Sequence, residues 1–198
     1  MLILIGGGSC SGKTTLVKNI MEIIGGDMVS VINTDYFYYG PKDNNKETLL
    51  EYNFDTIDSI NCTELISAAN ELKNGKEFQY KPFDYKLHKR SSDNVIISPK
   101  KYIIIEGLFA LSLGELLKLS DFKVFVWCEE EVKFARRFVK YKDVFGQSSE
   151  FIIKKYIEQV KPAFDVYIKP KMKLSDLIIN GCAEPRKQAE NMIEILQH

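Results

Sequence analysis

Apolar residues follow two kinds of pattern along this chain. Short, nearly continuous runs occur at Leu2 to Ile5, Met28 to Ile32, Tyr102 to Ile105, Phe122 to Trp127 and Leu177 to Ile179. Runs of this kind suit strands covered on both faces, as in a parallel sheet. Between them, apolar positions recur at helical spacing over residues 13–24, 62–73, 130–140, 149–160 and 184–196. Strands alternating with helices predict an α/β fold with crossover connections.

Two stretches break the alternation. Residues 40–53 are polar and rich in turn formers. Residues 75–98 mix aromatics with charges (Phe78, Tyr80, Phe83, Tyr85, His88, Arg90) and suit a small β-hairpin lying over the sheet. Neither stretch has apolar residues enough for a core of its own, so residues 1–198 are expected to form one domain. Loops and excursions on a rigid α/β scaffold are where substrate contacts commonly sit.

Charge then narrows the choice of partners. The chain carries 27 Lys and Arg against 27 Asp and Glu, a formal net charge of zero. No global field draws it to nucleic acid or to a membrane surface, and neither is expected as a partner. Any affinity for phosphate must come from a local site. No segment has the length of a membrane span or the form of a signal peptide. The four cysteines show no C-x-x-C spacing, so reduced thiols and a cytoplasmic location are expected.

The local site is legible. Gly7-Gly8-Ser9-Cys10-Ser11-Gly12-Lys13-Thr14 has the G-x-x-x-x-G-K-[ST] spacing of a phosphate-binding loop, and Thr15 follows it. Its glycines let successive N–H groups aim at phosphate oxygens, and the helix beginning near Lys13 adds the positive end of its dipole. Lys13 would neutralise β- and γ-phosphates, and the Thr14 hydroxyl would ligate Mg²⁺. An apolar strand before the loop and an amphipathic helix after it supply the confirming context.

Two acids stand at strand ends. Glu106 closes Tyr102 to Ile105 and reads as a magnesium holder or as an acid that merely ends a strand. Asp35 follows the second strand. It reads as the carboxylate that orients an attacking hydroxyl, with a second role near the metal, or as an Asx-turn residue. The spacing alone leaves these alternatives open.

Taken together, these residues resemble the uridine kinase (uridine–cytidine kinase) family. The phosphate loop is similar to the family's G-x-x-x-S-G-K-[ST]-[ST], and Asp35-Tyr36-Phe37-Tyr38 to its D-x-F-Y. Tyr52-Asn53-Phe54-Asp55 is similar to Y-N-F-D, and Phe83-Asp84-Tyr85 with His88 and Arg90 to Y-D-F-x-x-H-x-R. Ile105-Glu106-Gly107 matches a strand-end E-G, and residues 160–176 match the late V-x-P…P…[AS]-D pattern. The similarity runs in order from residue 3 to about residue 182.

The resemblance implies a P-loop fold with a five-stranded parallel sheet flanked by helices, a β-hairpin near residues 76–98 and a helical lid near residues 136–150. It implies ATP (or GTP) with Mg²⁺ as cofactors and a small nucleoside as substrate, with homo-oligomerisation left open. Asp35 becomes the catalytic base. Asp55 and Arg137 grip the ribose, and Tyr38, Phe54, Phe83, Tyr85 and His88 form the nucleoside pocket. Arg136, Arg137 and Lys140 stabilise the moving charge, with Arg136 on the nucleotide.

Departures cluster in the lid. The family's R-R-x-x-R-D-x-x-E-R-G-R reads here as Arg136 to Gln147, with Lys140 in the third basic place and Phe145 and Gln147 where arginines stand. Lysine neutralises phosphate without the bidentate fork of arginine. Phe83 replaces a tyrosine and removes a hydroxyl. The reading is transfer of a γ-phosphoryl group to the 5′-hydroxyl of uridine or cytidine. Its rivals are a kinase with another acceptor (nicotinamide riboside, pantothenate or ribulose phosphate) and a nucleotide-binding regulatory module with weak turnover.

Overall fold

A computed structural model describes residues 1–41, 52–85 and 87–197. Lys86, His198 and most of the polar 40–53 stretch lie outside the described residues. Five strands form the central parallel sheet: β1 (Leu2–Gly7), β2 (Val29–Asn33), β7 (Tyr102–Glu106), β8 (Phe122–Trp127) and β9 (Leu177–Asn180). Their spatial order is β2-β7-β1-β8-β9. The apolar runs become strands because both sheet faces are covered, and every residue of β1 and β7 is buried.

One face packs on α1 (Lys13–Ile24) and the C-terminal helix α6 (Pro185–Gln197), through Leu16, Val17, Ile20, Ala189 and Met192. The other face carries α2 (Cys62–Lys73) and the short α3 (Gly114–Leu119), around Phe37, Leu65, Phe109 and Phe125. Alternate residues of β1 serve the two cores, Leu2 and Leu4 on one side and Ile3 and Ile5 on the other. Asn61 caps α2, its side-chain oxygen accepting from Glu64 N at 3.1 Å while its Nδ2 donates to Glu64 Oε2 at 3.0 Å.

The 75–98 stretch forms a hairpin in two tiers. β3 (Phe78–Tyr80) pairs antiparallel with β6 (Val95–Ile97), and β4 (Phe83–Asp84) with β5 (Lys89–Arg90). Arg90 fastens it to the body. Its guanidinium donates to the carbonyls of Phe37, Tyr38 and Lys81 and pairs with Glu64 at 2.7 Å.

After β8, α4 (Glu130–Asp143) runs three residues beyond the span its periodicity predicts, and α5 (Ser149–Lys155) follows, capped by Ser148 Oγ. Helical structure then continues with wide turns at Tyr156–Val160 and Phe164–Ile168 and a tighter stretch at Lys169–Leu174. The sequence reading ended that helix at Val160 and did not anticipate α3. Among the described residues no helix is long and apolar enough to cross a membrane.

Candidate active site

The parallel strands end at one edge, and a cavity of about 880 Å³ opens there. Open α/β sheets bind ligands beyond their carboxyl ends because the loops and helix N-termini converge there. The volume is in the range that accepts small-molecule ligands.

The phosphate loop forms one end. Gly12 stands before α1 at φ 106°, a left-handed conformation that costs a glycine little. Among the described residues no side chain caps α1, and its first turn holds no acid. Its leading N–H groups are therefore free for an anion, with the helix dipole behind them. Ser9, Cys10, Gly12, Lys13, Thr14 and Thr15 line the cavity. Gly7, Gly8 and Ser11 stand behind that surface. The buried Lys13 Nζ donates to the carbonyls of Gly7 and Gly8 at 3.1 and 2.8 Å. Burial lowers the Lys13 pKa, opposed by the charges of Glu106 and Asp35.

Asp35 and Glu106 sit beside the loop. The register pairs Asn33 with Glu106 across β2 and β7. Asn33 Nδ2 donates to Glu106 Oε1 at 2.9 Å, and Asn33 Oδ1 accepts from Asp35 N at 2.8 Å. One amide therefore positions both acids. The sequence reading did not single out Asn33; its signal is an Asn at a strand's carboxyl end two residues before an Asp. Thr14 Oγ1 also donates to Glu106 Oε1, at 2.8 Å. A hydroxyl and a carboxylate, both hard oxygen donors, thus meet beside the phosphate loop, and this set fits magnesium. Burial raises the pKa of Glu106, which is 2% exposed, and of Asp35; Lys13 is the main opposing influence on each.

The far end of the cavity is aromatic. Tyr38, Tyr52 and Phe54 line it from the body, Tyr85 and His88 from the hairpin, Tyr141 from α4, Phe151 from α5 and Phe145 from the turn between those two helices. Tyr38 donates from its hydroxyl to Phe54 O at 3.0 Å. The charge of Asp35 acts on both Tyr38 and Tyr85. Burial raises both phenols, so they remain donors. Asp55 lines the same end, raised by burial and lowered by the charge of Arg137. His88 lines the wall with φ 50°, and its buried Nδ1 has no hydrogen-bond partner among the described residues.

One expectation needs correction. Phe83 is 2% exposed and does not line the cavity. It backs the wall, with its ring 6.0 Å from Tyr38 and 5.2 Å from Tyr85. Its packing against Tyr38, Phe54 and Tyr85 turns it inward. Arg90 likewise braces the hairpin rather than lining the cavity.

The cations of α4 converge on the site. Arg137, 7% exposed, donates to Ser9 Oγ at 3.0 Å and lies 4.1 Å over the Tyr141 ring. Arg136 donates to Gly181 O at 3.0 Å and Cys10 O at 3.4 Å. The Lys140 charge acts on Lys13, Asp35 and Glu106. Phe145 and Gln147 line the cavity, as do Lys155 and Gln159, which hydrogen-bond each other at 3.1 Å and carried no role in the sequence reading.

Comparison with known proteins agrees with this geometry. The model of the phosphoribulokinase / uridine kinase family matches residues 2–186. A uridine kinase of Staphylococcus haemolyticus is 35% identical over 178 residues, covering 90% of this chain and 86% of that protein. A uridine kinase of Staphylococcus aureus matches to the same extent, 35% identical over 90% of this chain and 86% of that protein. Among solved structures, a possible uridine kinase from Bacillus stearothermophilus superposes with TM-score 0.63 at 19% identity, covering 91% of this chain and 88% of that one. Phosphoribulokinase from Rhodobacter spheroides superposes with TM-score 0.66 at 14% identity, covering 93% of this chain and 73% of that one. The two superpositions speak for the fold.

Proposed function

The chain belongs to the phosphoribulokinase / uridine kinase family and is an ATP-dependent phosphotransferase; we propose that its acceptor is a pyrimidine ribonucleoside, phosphorylated at the 5′-hydroxyl. The observation that carries this reading is the location of Asp35, between the phosphate loop and the aromatic end of one continuous cavity. The uridine kinases that are 35% identical support the choice of acceptor.

In this reading Lys13 and the loop amides hold the triphosphate of ATP, with GTP as the other candidate donor. Asp55 and Arg137 grip the ribose, and Tyr38, Phe54, Tyr85 and His88 face the base. Thr14 and Glu106, with Asp35 nearby, would hold magnesium, which would supply charge neutralisation for the triphosphate. Asp35 accepts a hydrogen bond from the 5′-hydroxyl and aims its oxygen at the γ-phosphorus. The new P–O bond forms as the β–γ bridge breaks, ADP leaves, and the hydroxyl proton passes to Asp35. Lys140, Arg136 and Arg137 stabilise the charge spread over the transferring group. Residues 136–150 act as a lid whose closure keeps water from the γ-phosphate.

A second reading rests on Lys155, which lines the aromatic end of the cavity. Its charge also acts on Asp55, and together with that partner it would suit an acceptor carrying an anionic group, such as pantothenate. ADP release measured with uridine, cytidine, pantothenate, nicotinamide riboside and ribulose phosphate separates the readings. Turnover confined to the pyrimidine nucleosides is expected. ATP binding without turnover on any acceptor leaves only a regulatory module. Asp35→Asn should lose most turnover and still bind ATP, and full activity would reject its catalytic role.

A further inference from the structure

Two cysteines that lie far apart in sequence meet at the edge of the sheet. Cys128 directly follows β8 and Cys182 lies two residues beyond β9. Their Sγ atoms are 2.8 Å apart. The sheet brings them together: Trp127 stands opposite Asn180, and Gly181 N donates to Trp127 O at 2.6 Å. Cys128 is buried and Cys182 exposed. Cys182 Sγ donates to Glu129 Oε2 at 3.1 Å, and Arg136 Nη1 lies 3.8 Å from Cys128 Sγ.

The loop that carries Cys182 is part of the cavity wall. Asn180, Gly181 and Ala183 line it beside the phosphate loop. Gly181 O accepts from Arg136, which also reaches Cys10 O in the phosphate loop. A Cβ on Gly12 would meet Gly181 O at 3.3 Å, so the two loops are nearly in contact.

We propose that Cys128 and Cys182 form an oxidation site, which a hydroperoxide closes to a disulfide that ties the Gly181 loop to the end of β8 beside the nucleotide site. The exposed Cys182 sulfur, whose thiol proton Glu129 accepts, attacks the peroxide O–O bond, giving a sulfenic acid and releasing hydroxide, or an alkoxide from an organic peroxide, which takes up the proton to leave as water or an alcohol. The Cys128 sulfur then attacks the Cys182 sulfur, forming the S–S bond and expelling water with the thiol proton. The two sulfurs together lose two electrons and the peroxide gains them. Burial and the facing Cys182 push the Cys128 thiol up to about 12, which leaves the exposed partner as the sulfur oxidised first.

A metal site fits less well. Two sulfurs on one tetrahedral zinc, with bonds of about 2.3 Å, stand roughly 3.8 Å apart. Here the pair is closer, and a guanidinium stands against Cys128.

Brief exposure of the full chain to hydrogen peroxide tests the proposal. The intact mass should fall by two hydrogens, and a peptide map should join Cys128 to Cys182 while Cys10 and Cys62 stay alkylatable. The melting temperature should rise, because the bond restricts a long loop of the unfolded chain, and dithiothreitol should reverse both changes. Cys182→Ser, changed at an exposed position, should abolish the crosslink. ATP affinity should differ at least twofold between the oxidised and reduced forms; this last expectation alone rests on the nucleotide reading of the phosphate loop, and equal affinities would sink the coupling to that site. Sulfinic acid at Cys182 without a crosslink, or oxidation confined to Cys10 or Cys62, would overturn the oxidation site. So would stoichiometric Zn²⁺ binding that shields both thiols from alkylation.

Discussion

Replacing Asn33 tests whether one amide holds both acids of the site. Asn33→Ala removes the 2.9 Å bond to Glu106 and the 2.8 Å bond from Asp35 N. A bond to a charged group contributes about 1.5–3 kcal/mol and a neutral one about 0.5–1.5 kcal/mol. Asn33 faces the cavity, so water replaces part of what is lost, and Glu106 keeps its bond from Thr14. A stability loss of about 1–2 kcal/mol by urea denaturation follows. Function should suffer more, because Asp35 and Glu106 lose their common orientation. Loss of such supporting bonds typically costs about 10–100-fold. The assay is ADP release at saturating acceptor, with a magnesium titration alongside. The variant should need more magnesium for half-maximal rate. Asn33→Asp keeps an acceptor for Asp35 N but sets a third acid against Glu106, so its magnesium response should be worse still. Turnover within twofold of the parent, with an unchanged magnesium titration, would refute the positioning role.

Burial raises Asp35 and Glu106 although Lys13 opposes it, so a rate that needs both carboxylates should fall on the acid side above the ordinary range of about 4; a pH–rate limb at or below 4 would contradict this. A carboxyl whose folded pKa is raised stabilises the fold below its unfolded pKa, and that contribution is lost as pH rises through the folded value. At neutral pH the ionised Asp35 therefore costs stability, and Asp35→Asn should melt higher while turning over less; an unchanged or lower midpoint in thermal unfolding would refute the sign. Arg90→Ala removes the half-buried pair to Glu64 and three carbonyl contacts, and should lower stability by about 2–3 kcal/mol in urea, with a loss under about 0.5 kcal/mol counting against its bracing role. Lys140→Ala should cut kcat at least tenfold while ATP affinity measured by calorimetry stays close to that of the parent; an equal loss in both would assign Lys140 to ground-state binding.

Most of the fold was legible along the chain. All five sheet strands follow from continuous apolar runs, because burial on both faces leaves little room for polar alternation. α1 and α2 end at the residues their periodicity marks. The short α3 and the wide turns after Lys155 were not legible. Six residues make a faint periodic signal, and a wide turn shifts the period by one residue at a point only packing chooses. The phosphate loop was legible too, since its work is done by backbone geometry that the glycines announce.

What tertiary structure decided is which residues of separate segments meet. The pairing of β2 with β7 sets Asn33 beside Glu106, and no spacing along the chain reveals that contact. The same holds for Cys128 and Cys182, brought together by adjacent parallel strands. Phe83 carried a motif's place in the nucleoside pocket, yet packing against Tyr38, Phe54 and Tyr85 put it behind the wall. Local chemistry, such as a glycine-rich turn or an apolar run, is written in neighbouring residues and can be read from them. The cavity joining phosphate loop to aromatic end depends on sheet register and on where α4 and the hairpin pack, and those are properties of the folded chain alone.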